Sequence, residues 1–251
     1  MLIPWTVKRQ LTFLLIIVSA VAAVVFLLWF VSNKPTCFDK KQNQGEEGID
    51  CGGPCEACLG TVKNLVVSWS KPFKLKGDVY DVAALVENPN LFLALPSLKY
   101  QFKLYDENNI LVAVRDGETF FNPGEKFVIF ETGIETGERT PKRAFIELEE
   151  NPRWKRIEKE IAQLVVSGKE FVNIPFPRLT AKISNKSVFP AGKISAVAVL
   201  YDGEGNAKAV SSASVGVVDG MSSRLVSFTW PEPFAEAPVS SKVFLRTSPD
   251  E

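Results

Sequence analysis

All the cysteines of the chain, Cys37, Cys51, Cys55 and Cys58, lie in one stretch, "CFDKKQNQGEEGIDCGGPCEAC". Thiols gathered this closely either ionise and hold a metal or join as disulfides. The spacing C-x13-C-x3-C-x2-C contains a single tight pair, Cys55 and Cys58. A four-thiolate zinc site uses two tight pairs separated by a longer loop. An even cysteine count in a short, glycine-rich, acidic loop predicts two disulfides, with zinc as the competing reading and free thiols as a third. Three pairings of the cysteines remain open. Between them, Asp39, Asn43, Glu46 and Asp50 offer the carboxylate and amide oxygens that calcium takes from a flexible loop. The same residue types also favour tight turns. The expectation is therefore no cofactor, with calcium in the cysteine loop as the alternative.

Other chemistry is sparse. The 251 residues include no histidine, which removes the commonest general base, the commonest metal ligand and every imidazole triad. No strand-turn-helix elbow supplies a nucleophile. Twenty-nine basic and 29 acidic residues balance, so no net field draws nucleic acid. The expectation is a protein without catalysis. Trp230, in "FTWPEPF", is the candidate for stacking on a ligand, against the plainer reading that it closes the edge of a sheet sandwich.

The element that places the cysteine loop is "LTFLLIIVSAVAAVVFLLWFV", Leu11 to Val31, which carries no charge. As a helix it matches the roughly 30 Å of a hydrocarbon core, and no small-x-small cleavage site follows it. This predicts an uncleaved, single-pass signal anchor. Flanking charges nearly tie, so orientation follows from the cysteines: if oxidised, they place the downstream chain outside the cytoplasm.

The cysteine stretch resembles a module of bacterial surface proteins, roughly C-x-D-G-x-x-N-G-x-E-x-x-x-D-C-G-G-x-C-x-x-C. Cys37, Asp39, Asn43, Glu46, Asp50, Cys51, Gly52, Gly53, Cys55 and Cys58 match in register, and Lys40 and Gln44 depart where that pattern has glycine. The resemblance implies a surface location.

The remainder reads as one unit written twice. "ALVEN" ending at Asn88 answers "AKISN" ending at Asn185, Phe92 answers Phe189, and "FKLYDENN" answers "AVLYDGEGN". The offset of about 97 residues is too long for a solenoid repeat and suits a sandwich domain. Period-2 runs such as "YQFKLYD" and "RAFIELE", separated by turn clusters such as "NPGEK", predict short antiparallel strands. "PRWKRIEKEIAQL", with Ile157, Ile161 and Leu164 at helical spacing, predicts a connecting helix. Phe92 and its surroundings are expected to pack over the sandwich. Phe102-x-Leu104-Tyr105-Asp106 spells the motif of the FxLYD domain family, which resembles plant desiccation-protein β-sandwiches; the second copy keeps Leu200, Tyr201 and Asp202 but has Ala198 for the phenylalanine. That resemblance implies an extracytoplasmic interaction domain. Each Tyr-Asp pair is expected to end a strand and start a turn.

The expected fold is mainly β. Residues 1–10 form a short cytoplasmic N-terminus, 11–31 a transmembrane α-helix, 32–58 a disulfide-rich stalk, and 59–153 and 154–251 two tandem immunoglobulin-like antiparallel β-sandwiches. The expected function is binding or structural, at the cell surface, with a protein or envelope component as partner besides the membrane. The alternative is an accessory subunit of an envelope assembly or transport complex, packing through Ser19, Ala20, Ala22 and Ala23.

Overall fold

Val82 to Val86 on one strand and Val197 to Leu200 on another are inaccessible on both faces, and these two runs explain how the β-rich part is assembled. A computed structural model describes residues 5–32, 36–55, 58, 62–157 and 160–248. The chain divides into two units, Met1–Cys58 and Leu59–Glu251.

The first unit contains α1 (Trp5–Ser32), a 28-residue helix. Within it Arg9–Leu27 is long and apolar enough to cross a membrane, and none of that window is buried by protein. Valine and leucine dominate, and intrahelical bonding satisfies the backbone as a bilayer interior demands. The helix begins a turn and a half before the expected Leu11. Arg9 is what the added turns bring: its guanidinium lies over Trp5 at 5.8 Å and Phe13 at 5.9 Å, one turn to either side.

Among its described residues the second unit has thirteen strands, all paired antiparallel. The first copy supplies β1 (Val66–Lys76), β2 (Val79–Glu87), β3 (Leu93–Tyr105), β4 (Leu111–Phe121), β5 (Lys126–Glu135) and β6 (Arg143–Leu148). They form two sheets, ordered β1-β2-β5 and β4-β3-β6. The second copy supplies β8 (Leu164–Val172), β9 (Arg178–Asn185), β10 (Ile194–Tyr201), β11 (Ala207–Val215), β12 (Ser223–Thr229) and β13 (Ser240–Thr247), in sheets β12-β9-β8 and β11-β10-β13. The mainly β, sandwich-like fold agrees with the sequence pattern. In β3, Leu98, Tyr100, Phe102 and Leu104 point inward, the period-2 face that alternation predicts. Full burial of a side chain of this size stabilises the fold by about 1.5–3 kcal/mol.

The two copies do not keep separate cores. The first core, around Phe102, Phe121 and Phe127, continues onto Val197, Val199, Val210 and Phe244 of the second copy, while Ala196, Ala198 and Leu200 of the same β10 face inward. Sheet β1-β2-β5 thus packs against sheet β11-β10-β13, with β1 beside β11 and β5 beside β13. Small residues, Ala83, Ala84, Ala196 and Ala198, fill the doubly covered strands, where bulkier ones would hold the sheets apart. Arg246 of β13 fastens this junction. It donates to the Phe120 carbonyl (2.7 Å) and the Thr119 hydroxyl (2.8 Å), and lies over the rings of Phe120 (4.2 Å) and Phe127 (4.0 Å). Burial lowers its pKa to about 10.

Two expectations are corrected. The segment proposed as a connecting helix runs extended: Lys155–Arg156 form β7, paired with Leu93 and Ala94, and Leu164 opens β8, with residues 158 and 159 outside the described residues. The Ile157 N–H reaches the Phe92 carbonyl instead of an i−4 partner, so cross-strand pairing wins over helical spacing. Phe92 itself does not pack over the sandwich; it is 66% exposed. Its tight turn leads into β3, and only from Ala94 onward does the chain pass beneath the sheet.

Candidate functional site

The cysteine loop contains two disulfides, Cys37–Cys55 and Cys51–Cys58, with S–S distances of 2.05 and 2.07 Å. No cysteine is left free. Cys37, Glu46 and Cys55 converge, but both sulfurs are joined to each other, so neither is a thiolate for zinc. Interleaved pairing needs a compact loop, and glycine supplies it. Gly53 has φ +59°, and a Cβ there would overlap the Gly45 carbonyl oxygen; Gly52 has φ +79°, and a Cβ there would lie 2.6 Å from that of Glu47. Both positions therefore exclude every L side chain. Lys40 (φ 59°) and Gln44 (φ 54°) are also left-handed, so the loop turns tightly there too.

The oxygen-bearing residues are brought together around the buried Glu46, whose Oε2 accepts the N–H groups of Asn43 (3.1 Å) and Asp50 (3.3 Å). Asp50 accepts the Lys40 N–H with both oxygens, at 2.9 and 3.0 Å. Asp39 accepts the Lys41 N–H and the Asn43 amide, both at 2.9 Å. The Asn43 amide, together with the Thr36 and Lys41 N–H groups, holds the Asp39 pKa below the ordinary value. Calcium requires oxygens that converge with free lone pairs. Here main-chain N–H donors point at the carboxylates, so what the structure displays is a hydrogen-bonded turn framework.

The two Tyr-Asp pairs behave as turn residues. Asp106 Oδ1 accepts the Asn108 and Ile110 N–H groups, both at 2.9 Å, and Arg139 donates to Oδ2 at 2.8 Å. Asp202 Oδ1 accepts the Glu204 (3.0 Å) and Asn206 (2.8 Å) N–H groups. Both carboxyl pKa values are lowered, chiefly by the Ile110 and Asn206 backbone N–H groups respectively. Phe102 and Leu104 are buried core, and Tyr105 packs edge-to-face on Phe145 at 5.8 Å.

Trp230 is corrected as a ligand-stacking candidate. It is 7% exposed, its indole N–H donates to the Val210 carbonyl (3.1 Å), and it packs with Phe171 and Phe234. It closes the second core. Tyr100, buried in the first core, donates to Glu131 at 2.6 Å; burial and that bond push its hydroxyl pKa up, away from nucleophilic use.

Sequence reasoning paired Asn88 with Asn185 but assigned neither a role. Both are buried. The Asn88 amide donates to the Leu93 (2.7 Å) and Asn122 (2.8 Å) carbonyls and its oxygen accepts the Asn90 N–H (3.0 Å). Asn185 repeats this with Phe189 (2.8 Å), Val218 (3.0 Å) and Ser187 (2.9 Å). An asparagine closing each repeated strand was the available signal. Asn90 also exchanges two bonds with the Lys63 backbone, at 2.8 and 2.7 Å, and so pins the chain where it enters the sandwich pair.

Comparison with models of known protein families gives no match, and comparison with curated proteins gives none either.

Proposed function

We propose that the chain is a single-pass, membrane-anchored protein. Its disulfide module and paired sandwiches stand outside the cytoplasm and act in binding or structure, without catalysis. The observation that supports this best is the pairing of every cysteine in a loop that follows an apolar helix: disulfides of this kind persist in oxidising compartments. The mechanism is positional. The helix confines the chain to the membrane, the interleaved disulfides stiffen the neck, and the fused sandwiches present their loops as one rigid body to a protein or envelope component. The likenesses to the surface-protein cysteine module and to FxLYD domains agree with this role.

The test is protease added to intact cells. Digestion of the sandwich pair without lysis supports the assignment. Protection that disappears on lysis puts the pair on the cytoplasmic side and refutes it.

A further inference from the structure

The end at which the chain enters the sandwich pair carries apolar side chains that the fold does not cover. Leu91 and Phe92 are 71% and 66% exposed on the turn before β3. In the second copy Leu91 is answered by Val188, 87% exposed, and the adjoining turn presents Met221, 71% exposed, the two turns being joined by the Met221 N–H to Ser187 carbonyl bond (2.9 Å). The two ends lie together, since the Asn122 amide donates to the Thr247 carbonyl across the junction at 3.0 Å. A cavity of about 490 Å³ at the same end is lined by Ile157, Ile161, Ala162, Phe189 and Pro190.

Two further observations say what covers this surface. The chain arrives here: Lys63, pinned to Asn90, is separated from the apolar helix only by residues 33–62, which two disulfides shorten. A tether of that length keeps this end within reach of whatever the helix is embedded in, at high effective concentration. Met221 is the second. It is left-handed (φ 56°), and the matching position in the first copy is Gly124 (φ 63°), whose N–H bonds the Asn90 carbonyl as that of Met221 bonds the Ser187 carbonyl. A large, mostly exposed apolar side chain thus stands at a backbone position that favours glycine.

We propose that this end of the sandwich pair docks on the lipid bilayer, inserting Leu91, Phe92, Val188 and Met221 into the interfacial region. The inference rests on the membrane-anchor reading. Lys155, Arg156 and Lys186 are exposed beside these turns, with the Arg156 guanidinium 6.0 Å from the Phe92 ring. Glu160 and Asp219 stand at the same end, so attraction comes from apolar insertion and not from net charge.

The test uses the full chain reconstituted into phosphatidylcholine vesicles containing brominated acyl chains. Phe92→Trp and Val188→Trp each add a reporter at the proposed contact; Ile174→Trp adds one on the exposed β8–β9 hairpin, and parent emission is subtracted. The expected result is that the added emission at positions 92 and 188 falls at least about twofold on bromination, independent of salt, while that at 174 is unchanged. Vesicle flotation with all three reporters unquenched overturns the docking and leaves the anchor intact; a protein partner covering this end gives that same result. Failure of the chain to float overturns both.

Discussion

Gly124 and Met221 occupy the same backbone position in the two sandwiches: both are left-handed, and each donates its N–H to the carbonyl of the residue two places after the buried asparagine, Asn90 or Ser187. A non-glycine residue there costs about 1–2 kcal/mol, partly offset by the chain entropy that glycine would lose. Met221→Gly is therefore expected to stabilise the protein by about 0.5–1 kcal/mol, a rise of roughly 1–4 °C in Tm. Calorimetry at fixed detergent concentration checks it. An unchanged or lowered Tm contradicts the strain.

The buried asparagines carry the turns of both copies. Asn185→Ala strands the Phe189 and Val218 carbonyls and the Ser187 N–H, and is expected to destabilise by about 2–3 kcal/mol. Asn88→Ala should cost a similar amount, because its bonds are the same. Urea denaturation of the two variants measures both, and a difference above about 2 kcal/mol would break the equivalence.

Arg246 joins the two sandwiches through bonds to the first copy and contacts with two rings. The intact protein is expected to unfold its sandwiches in a single transition. Arg246→Ala, at a cost of about 2–4 kcal/mol, should split it in two. Two transitions already present in the parent chain would contradict the coupling.

Asp106 and Asp202 have lowered carboxyl pKa values, so they favour the folded state above the unfolded value of about 3.9. That contribution is lost as pH falls through the lower folded values. Asp106→Asn with Asp202→Asn, which keeps an acceptor but cannot ionise, should flatten the fall in stability between neutral pH and pH 3. An unaltered acid limb would sink this reading. Glu125 works in the opposite sense: burial raises its pKa, so its ionisation opposes folding as pH rises.

Much of the fold was readable because its physics is local. Alternation along Tyr100, Phe102 and Leu104 specified an inward face, and the Asn88/Asn185 register exposed the duplication before any contact was known. The disulfide pairing was not readable, since spacing alone allows three. It depends on left-handed turns at Gly52 and Gly53, which sequence spacing does not encode. Ile157, Ile161 and Leu164 misled because a 3.6-residue pattern is also met by chance in an extended segment, and only the pairing of Lys155 and Arg156 with β3 decides between them. Phe92 misled because residue type does not say whether a turn faces the core. The fusion of the two cores was latent in the doubly apolar "DVAALV" and "AVAVL", which read equally well as ordinary buried strands.

The disulfides are where the account is most exposed. Protein purified without reductant, alkylated during lysis and digested without reduction should yield no alkylated cysteine and two cross-linked species, one joining Cys37 to Cys55 and the other Cys51 to Cys58. Four alkylated cysteines, or one zinc ion released per chain, would contradict it and return the sandwich pair to a reducing compartment.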